Sequence, residues 1–95
     1  MIVHMVNFKY KADASAAARA DHVTKLKAIA DIEGIVDFKV GTDFMRSPRS
    51  YDTGLVVIFR DRAALDSYAV HPRHVPVAKF GLELAESIVS VDFDA

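Results

Sequence analysis

Thr53-Gly54-Leu55-Val56-Val57-Ile58-Phe59-Arg60 contains the longest apolar run of the chain, Leu55 to Phe59. Five residues fall far short of the ~20 that span a bilayer, so the run is a strand. Its side chains are apolar on both faces, as in a central strand covered from both sides. The preceding segment, Met45 to Asp52, carries Arg46-Ser47-Pro48-Arg49-Ser50 and reads as a loop. Before it, Ile35 to Asp43 reads as a strand with Val36, Phe38 and Val40 on one side. After it, Asp61 is positioned to cap a helix from Arg62 to Val70, with Ala64, Leu65 and Tyr68 at helical spacing. Pro72 ends that helix, and a short helix is expected from Pro76 to Leu84.

The outer segments complete the pattern. Ile2 to Tyr10 alternates with period two: Ile2, His4, Val6, Phe8 and Tyr10 share one face, Val3, Met5, Asn7 and Lys9 the other. Asp13 or Ser15 can cap a helix carrying Val23, Leu26, Ile29 and Ala30 on one face, and Gly34 is suited to a left-handed stop. Ile88 to Phe93 is the closing strand. The order is strand, helix, strand, strand, helix, strand, giving an α+β domain whose helices cover one face of a four-stranded antiparallel sheet. The strands are apolar on both faces, so the second face needs a cover. A second copy of the sheet is the simplest one, and a homodimer is expected.

Ninety-five residues make a single domain, 1–95, that buries about 60–65% of its unfolded surface. A hydrophobic content of 52% exceeds what so small a domain hides alone, which also points to a buried intersubunit surface. Formal charge is −1 with no basic stripe to neutralise phosphates, so nucleic acid is not an expected partner. Without cysteine, disulfides, thiolate catalysis and cysteine metal sites are excluded. Strand-like sequence from Ile2 leaves no place for a signal peptide, and a soluble cytoplasmic protein with no membrane partner is expected.

The chemistry concentrates in Tyr68-Ala69-Val70-His71-Pro72-Arg73-His74-Val75. A phenol and two imidazoles at a helix end can exchange protons near neutral pH. His74 is a candidate general base for a proton next to a carbonyl, with Tyr68 donating to the carbonyl oxygen. A structural turn and a ligand contact without chemistry remain open for His74, as does a core role for Tyr68. His71, at the helix end, suits a capping role. His4 lies on the Ile2, Val6 and Phe8 face, where it is either a satisfied core histidine or a pocket wall. His22 is placed on a solvated or interfacial helix face. The arginines of the 46–50 loop are read as solvating a turn. No spacing of metal ligands stands out, and neither a metal nor an organic cofactor is expected.

Taken together, Val3 to Tyr10, Gly34-Ile35, Val40-Gly41, Ser50-Tyr51-Asp52, Ile58-Phe59, the run Ala64 to Val75 and Val91-Asp92-Phe93 resemble the stress-responsive A/B barrel (Dabb) family. The resemblance spans nearly all of the chain, and its most specific part is the His71-Pro72-Arg73-His74 element. It implies a ferredoxin-like protomer paired through its sheet into a dimeric α+β barrel. By similarity to a polyketide cyclase of that family, it also implies cofactor-free aldol chemistry on a small, mostly apolar carbonyl compound. His74 and Tyr68 would be catalytic, and His4, Val6 and Phe8 would line the substrate pocket. A pocket histidine of that enzyme would align near Thr53, and its first-helix aromatics near Asp21 and Lys25, so the chain departs from the pattern there. Some relatives hold a cation on main-chain carbonyls, here around Ile29, Ile32 and Ile35. The alternative is a non-catalytic stress-related or ligand-binding dimer with structural histidines.

Overall fold

The computed structural model describes residues 1–95. The elements are β1 (Ile2–Tyr10), α1 (Ala16–Lys27), β2 (Ile35–Thr42), β3 (Thr53–Phe59), α2 (Arg62–Ala69), α3 (His74–Leu84) and β4 (Ala85–Asp94). One antiparallel sheet has the order β2-β3-β1-β4, which is the ferredoxin-like arrangement. The two most apolar strands are therefore central. β1 pairs with β3 from Ile2↔Phe59 to Phe8↔Thr53, and with β4 from Ile2↔Asp94 to Tyr10↔Ala85.

Period-two alternation sends Ile2, Val6, Phe8 and Tyr10 of β1 and Leu55, Val57 and Phe59 of β3 toward the helices, where all are buried. Leu26, Ile29, Ile32, Ala64, Tyr68 and Val77 close the core from the other side. Ser15, not Asp13, caps α1, its hydroxyl accepting the Ala18 N–H at 3.0 Å. The helix ends at Lys27, earlier than a continuous stripe through Ala30 requires. Its buried positions are His22 and Leu26, four residues apart, whereas Val23 is only half-buried. The solvated placement of His22 is thus corrected: the residue is fully buried.

Three further expectations are adjusted. A bulge between Ile35 and Asp37 breaks the alternation of β2, so Val36 turns outward at 55% exposure while Phe38 and Val40 pack on the core. α3 begins at His74 rather than Pro76, because Pro76 falls in the first turn, where a missing N–H removes no helical bond. β4 starts at Ala85, directly after α3, and runs to Asp94. Gly34 has φ +95°, and a Cβ there would lie 2.5 Å from Ala64 Cβ, so both its conformation and its contact with α2 require glycine.

The outer sheet face carries no helix. Met5, Val89, Val91 and Phe93 are exposed on it, and Val3, Val56 and Ile58 are half-covered. No helix is long and apolar enough to cross a membrane.

Candidate functional site

β1 delivers His4, Val6 and Phe8 to one wall of a cavity of about 290 Å³ between the sheet and the helices of the same protomer. α2 supplies Tyr68, and α3 supplies His74, Val77, Ala78 and Leu82. The cavity therefore belongs to the protomer and not to a space between two sheets. A larger depression of about 620 Å³ lies beside β2, β3 and the loop between them, and it contains no histidine.

Tyr68 and His74 meet because the chain reverses between them. His74 N–H and Val75 N–H both donate to the His71 carbonyl, at 2.9 and 3.0 Å, folding the Pro72 turn onto the end of α2. The two rings lie 4.1 Å apart, centroid to centroid, with planes 35° from parallel. His74 Nδ1 bonds the Ala69 carbonyl at 3.1 Å. A carbonyl only accepts, so Nδ1 carries the proton and Nε2 keeps its lone pair. Burial lowers the His74 pKa most, and the neighbouring His4 and His71 lower it further against the opposing Ala69 bond. His74 is accordingly a neutral imidazole whose Nε2 is free to accept a proton or hydrogen bond.

Tyr68 is 2% exposed and packs against Phe59 at 5.0 Å between centroids. Burial pushes its pKa up to about 12, so the phenol remains a donor. The Tyr68 hydroxyl makes no hydrogen bond within the chain, although it sits at the cavity with His74.

His4 presents its ring edge-on to Tyr68 at 6.2 Å between centroids. Its Nδ1 is held by the carboxylate of Asp92, the residue opposite it on β4. Asp92 was not singled out as a site residue from sequence. Only the register Ile2↔Asp94, which places Asp92 beside His4, reveals it. A carboxylate on one imidazole nitrogen fixes the tautomer and leaves the other nitrogen free to accept.

His71 serves the turn as a hydrogen-bond acceptor, not as a charged cap on the carbonyls that end α2. Its Nδ1 accepts the Arg73 N–H at 3.0 Å, which stiffens the turn. Arg73 bridges to the Ala28 carbonyl at 2.6 Å and to Asp31 at 2.7 Å, tying the turn to the end of α1. Arg46, at φ +50°, is bound by Asp43 and Asp52 and organises the 43–52 loop. The carbonyls of Ile29 and Ile32 already accept backbone N–H groups, from Ile32 at 3.3 Å and Ile35 at 3.2 Å. No group of three or more His, Cys, Asp or Glu side chains is arranged to hold a metal ion.

The other histidine of the cavity is His22. Its Nδ1 lies 2.7 Å from the Tyr10 hydroxyl, which lies 2.8 Å from Thr53 Oγ1. His22 packs edge-on against Phe8 at 4.7 Å and lines the cavity beside it. The first-helix contribution to the wall is thus His22 and Leu26, while Asp21 is exposed and Lys25 lies outside the cavity. Thr53 faces the core and supports Tyr10.

The stress-responsive A/B barrel domain model matches residues 2–95. The chain belongs to this family. A family member of ferredoxin-like fold from Mesorhizobium loti is 27% identical, covers 99% of this chain and 95% of its own, and superposes with a TM-score of 0.83. A dimeric ferredoxin-like protein of unknown function from Jannaschia is 26% identical over 99% of this chain and 98% of its own, with a TM-score of 0.83. A hydroxynitrile lyase from Passiflora edulis is 18% identical over 97% of this chain and 90% of its own, with a TM-score of 0.86, a likeness of fold. No curated protein matches the chain.

Proposed function

We propose that this A/B barrel protein works as a homodimer, binding a small, mostly apolar, polyketide-like carbonyl compound in the 290 Å³ cavity and moving a proton on it without a cofactor. The observation that carries this reading is the convergence of Tyr68, His74 and His4 on one apolar cavity. Tyr68 donates to the carbonyl oxygen and stabilises the enolate as charge develops there. His74 Nε2 takes the proton from the adjacent carbon and returns it to the carbon or oxygen where the reaction ends. His4, oriented by Asp92, accepts at its free nitrogen from a hydroxyl or enol O–H of the compound, while Val6 and Phe8 contact its hydrocarbon part. The copy of the sheet that covers Met5, Val89, Val91 and Phe93 completes the barrel, in keeping with dimeric relatives.

Proton exchange tests the chemistry. In heavy water the protein accelerates deuterium uptake next to the carbonyl of 4-phenylbutan-2-one, followed by NMR. His74→Gln and Tyr68→Phe each slow it by roughly 10²–10⁴-fold. The His74 bond to the Ala69 carbonyl favours a second reading, a ligand-binding dimer in which His74 holds the turn. That reading predicts saturable ketone binding, no exchange by the wild-type protein, and a loss of stability in His74→Gln.

A further inference from the structure

The helix-free face of the sheet is uneven, and the strand register shows how. Its side chains stand in rows that cross β4, β1, β3 and β2. One row is Val91, Met5, Val56 and Lys39; the next is Val89, Asn7, Gly54 and Gly41. Along the second row side-chain size falls from β4 toward β2 and ends on a pair of glycines. Val89, Val91 and Phe93, all exposed, form an apolar ridge on β4. The glycines floor a hollow: the depression of about 620 Å³ lies over Gly41 and Gly54, with Asn7, Lys39 and Val56 around them.

Nothing inside the chain asks for glycine at either position. Neither has a positive φ. Beyond its chain neighbours, a Cβ on Gly41 would meet no atom within 4 Å, and one on Gly54 only Asn7 Oδ1 at 3.5 Å, an ordinary contact. Glycine in a strand costs ordering entropy and contributes no side-chain packing, so the pair weakens the isolated sheet. What it supplies is a stretch of uncovered backbone that another group can approach closely.

The position of the hollow decides what that group is. Val56 borders the hollow and pairs with Met5, which pairs with Val91, so hollow and ridge belong to one continuous surface. Packed sheets stand about 10 Å apart and interlock through the side chains between them. A two-fold axis between two such sheets, running along the strands, sets β4 of each copy over β3 and β2 of the other and keeps each row opposite its counterpart. Val89 then faces the glycine floor. An axis running across the strands sets β4 on β4, which stacks ridge on ridge and leaves both hollows unfilled.

We infer that Gly41 and Gly54 are the socket of an interface between two copies of this chain, in which Val89 of each copy seats on the glycine pair of the other. The inference rests on the homodimer proposed above and adds which strand of one copy meets which strand of the other.

A dimer assembled from differently labelled copies reads the contact directly. Isotope-filtered NOEs are expected between the Val89 methyls of one copy and the Hα protons of Gly41 and Gly54 in the other. Gly41→Tyr fills the socket from an open position and is expected to raise the dimer dissociation constant roughly tenfold or more in sedimentation, with an unchanged circular dichroism spectrum. Should that variant misfold, the NOEs of the wild-type protein decide. NOEs joining β4 of one copy to β4 of the other, or a Gly41→Tyr dimer as tight as the wild type, overturn the inference and leave the homodimer standing. A wild-type protein that is monomeric at micromolar concentration overturns both.

Discussion

Tyr68 combines a buried ring with a hydroxyl that no other group of the chain engages. Its pKa of about 12 keeps the proton in place at any working pH, so the group serves as a donor to an oxygen that arrives with a ligand. Removing that oxygen breaks no internal bond, and Tyr68→Phe is expected to change unfolding free energy by less than about 1 kcal/mol while impairing carbonyl exchange. The histidines give a pH signature. Burial first, with neighbouring positive charge for His74, holds both His22 and His74 below the unfolded value of about 6.5. Between the folded and unfolded pKa values the unfolded chain binds more protons, so stability is complete above about pH 6.5 and declines as pH falls through that window. Urea midpoints measured from about pH 5 to 7.5 should rise with pH, and a flat profile would contradict the two depressed values. Tyr68, His74 and His4 were legible as candidates because proton-transfer side chains recur at short spacing or on a strand's apolar face. His22 was not, since one helical residue of rotation separates a solvated face from the stripe of Leu26. Asp92 was hidden for a different reason: strand register between residues 88 positions apart is not written in local pattern.

At the scale of elements, each helix is held by a small number of replaceable contacts. Asp61 Oδ1 accepts the Ala64 N–H at 2.8 Å and anchors the start of α2, which carries Tyr68. Asp61→Ala should cost about 1 kcal/mol in denaturation, by loss of the cap. Gly34 is less forgiving, because its positive φ and its contact with Ala64 Cβ both oppose a side chain. Gly34→Ala is expected to destabilise by about 2–4 kcal/mol, and a loss under 1 kcal/mol would mean that α2 moves aside freely. The strands β1 and β3 were readable to within a residue because alternation and a continuous apolar run are strong local signals. β2 is expected to alternate without interruption, with Val36, Phe38 and Val40 on one side. A bulge adds a residue without any composition signal, and Val36 was assigned to the wrong side. The start of α3 is expected two residues late because Pro76 reads as the first helical residue, whereas its ring is equally accommodated at the third position of the first turn.

For the whole molecule, the uneven use of the sheet is the governing fact. One face is closed by three helices around the cavity, and the other presents Met5 paired with Val91, flanked by Val89 and Phe93. Apolar side chains so grouped on a small domain mark an association surface. Light scattering at micromolar concentration should give a dimer, and Val91→Asp should shift it toward monomer; a wild-type monomer would remove the barrel from the account. The fold class was accessible from sequence because a four-stranded sheet with helices on one side leaves a countable apolar face. The location of the cavity inside the protomer was not, because strand alternation names two faces without saying which holds empty space.

In the proposed chemistry the cavity receives a carbonyl oxygen on the Tyr68 hydroxyl. The most direct measurement is the infrared C=O stretch of 4-phenylbutan-2-one titrated with wild-type protein and with Tyr68→Phe. A saturable shift to lower frequency in the wild type, much reduced in Tyr68→Phe, is the predicted result. An unshifted stretch at saturating protein, or the same shift in both proteins, would contradict it.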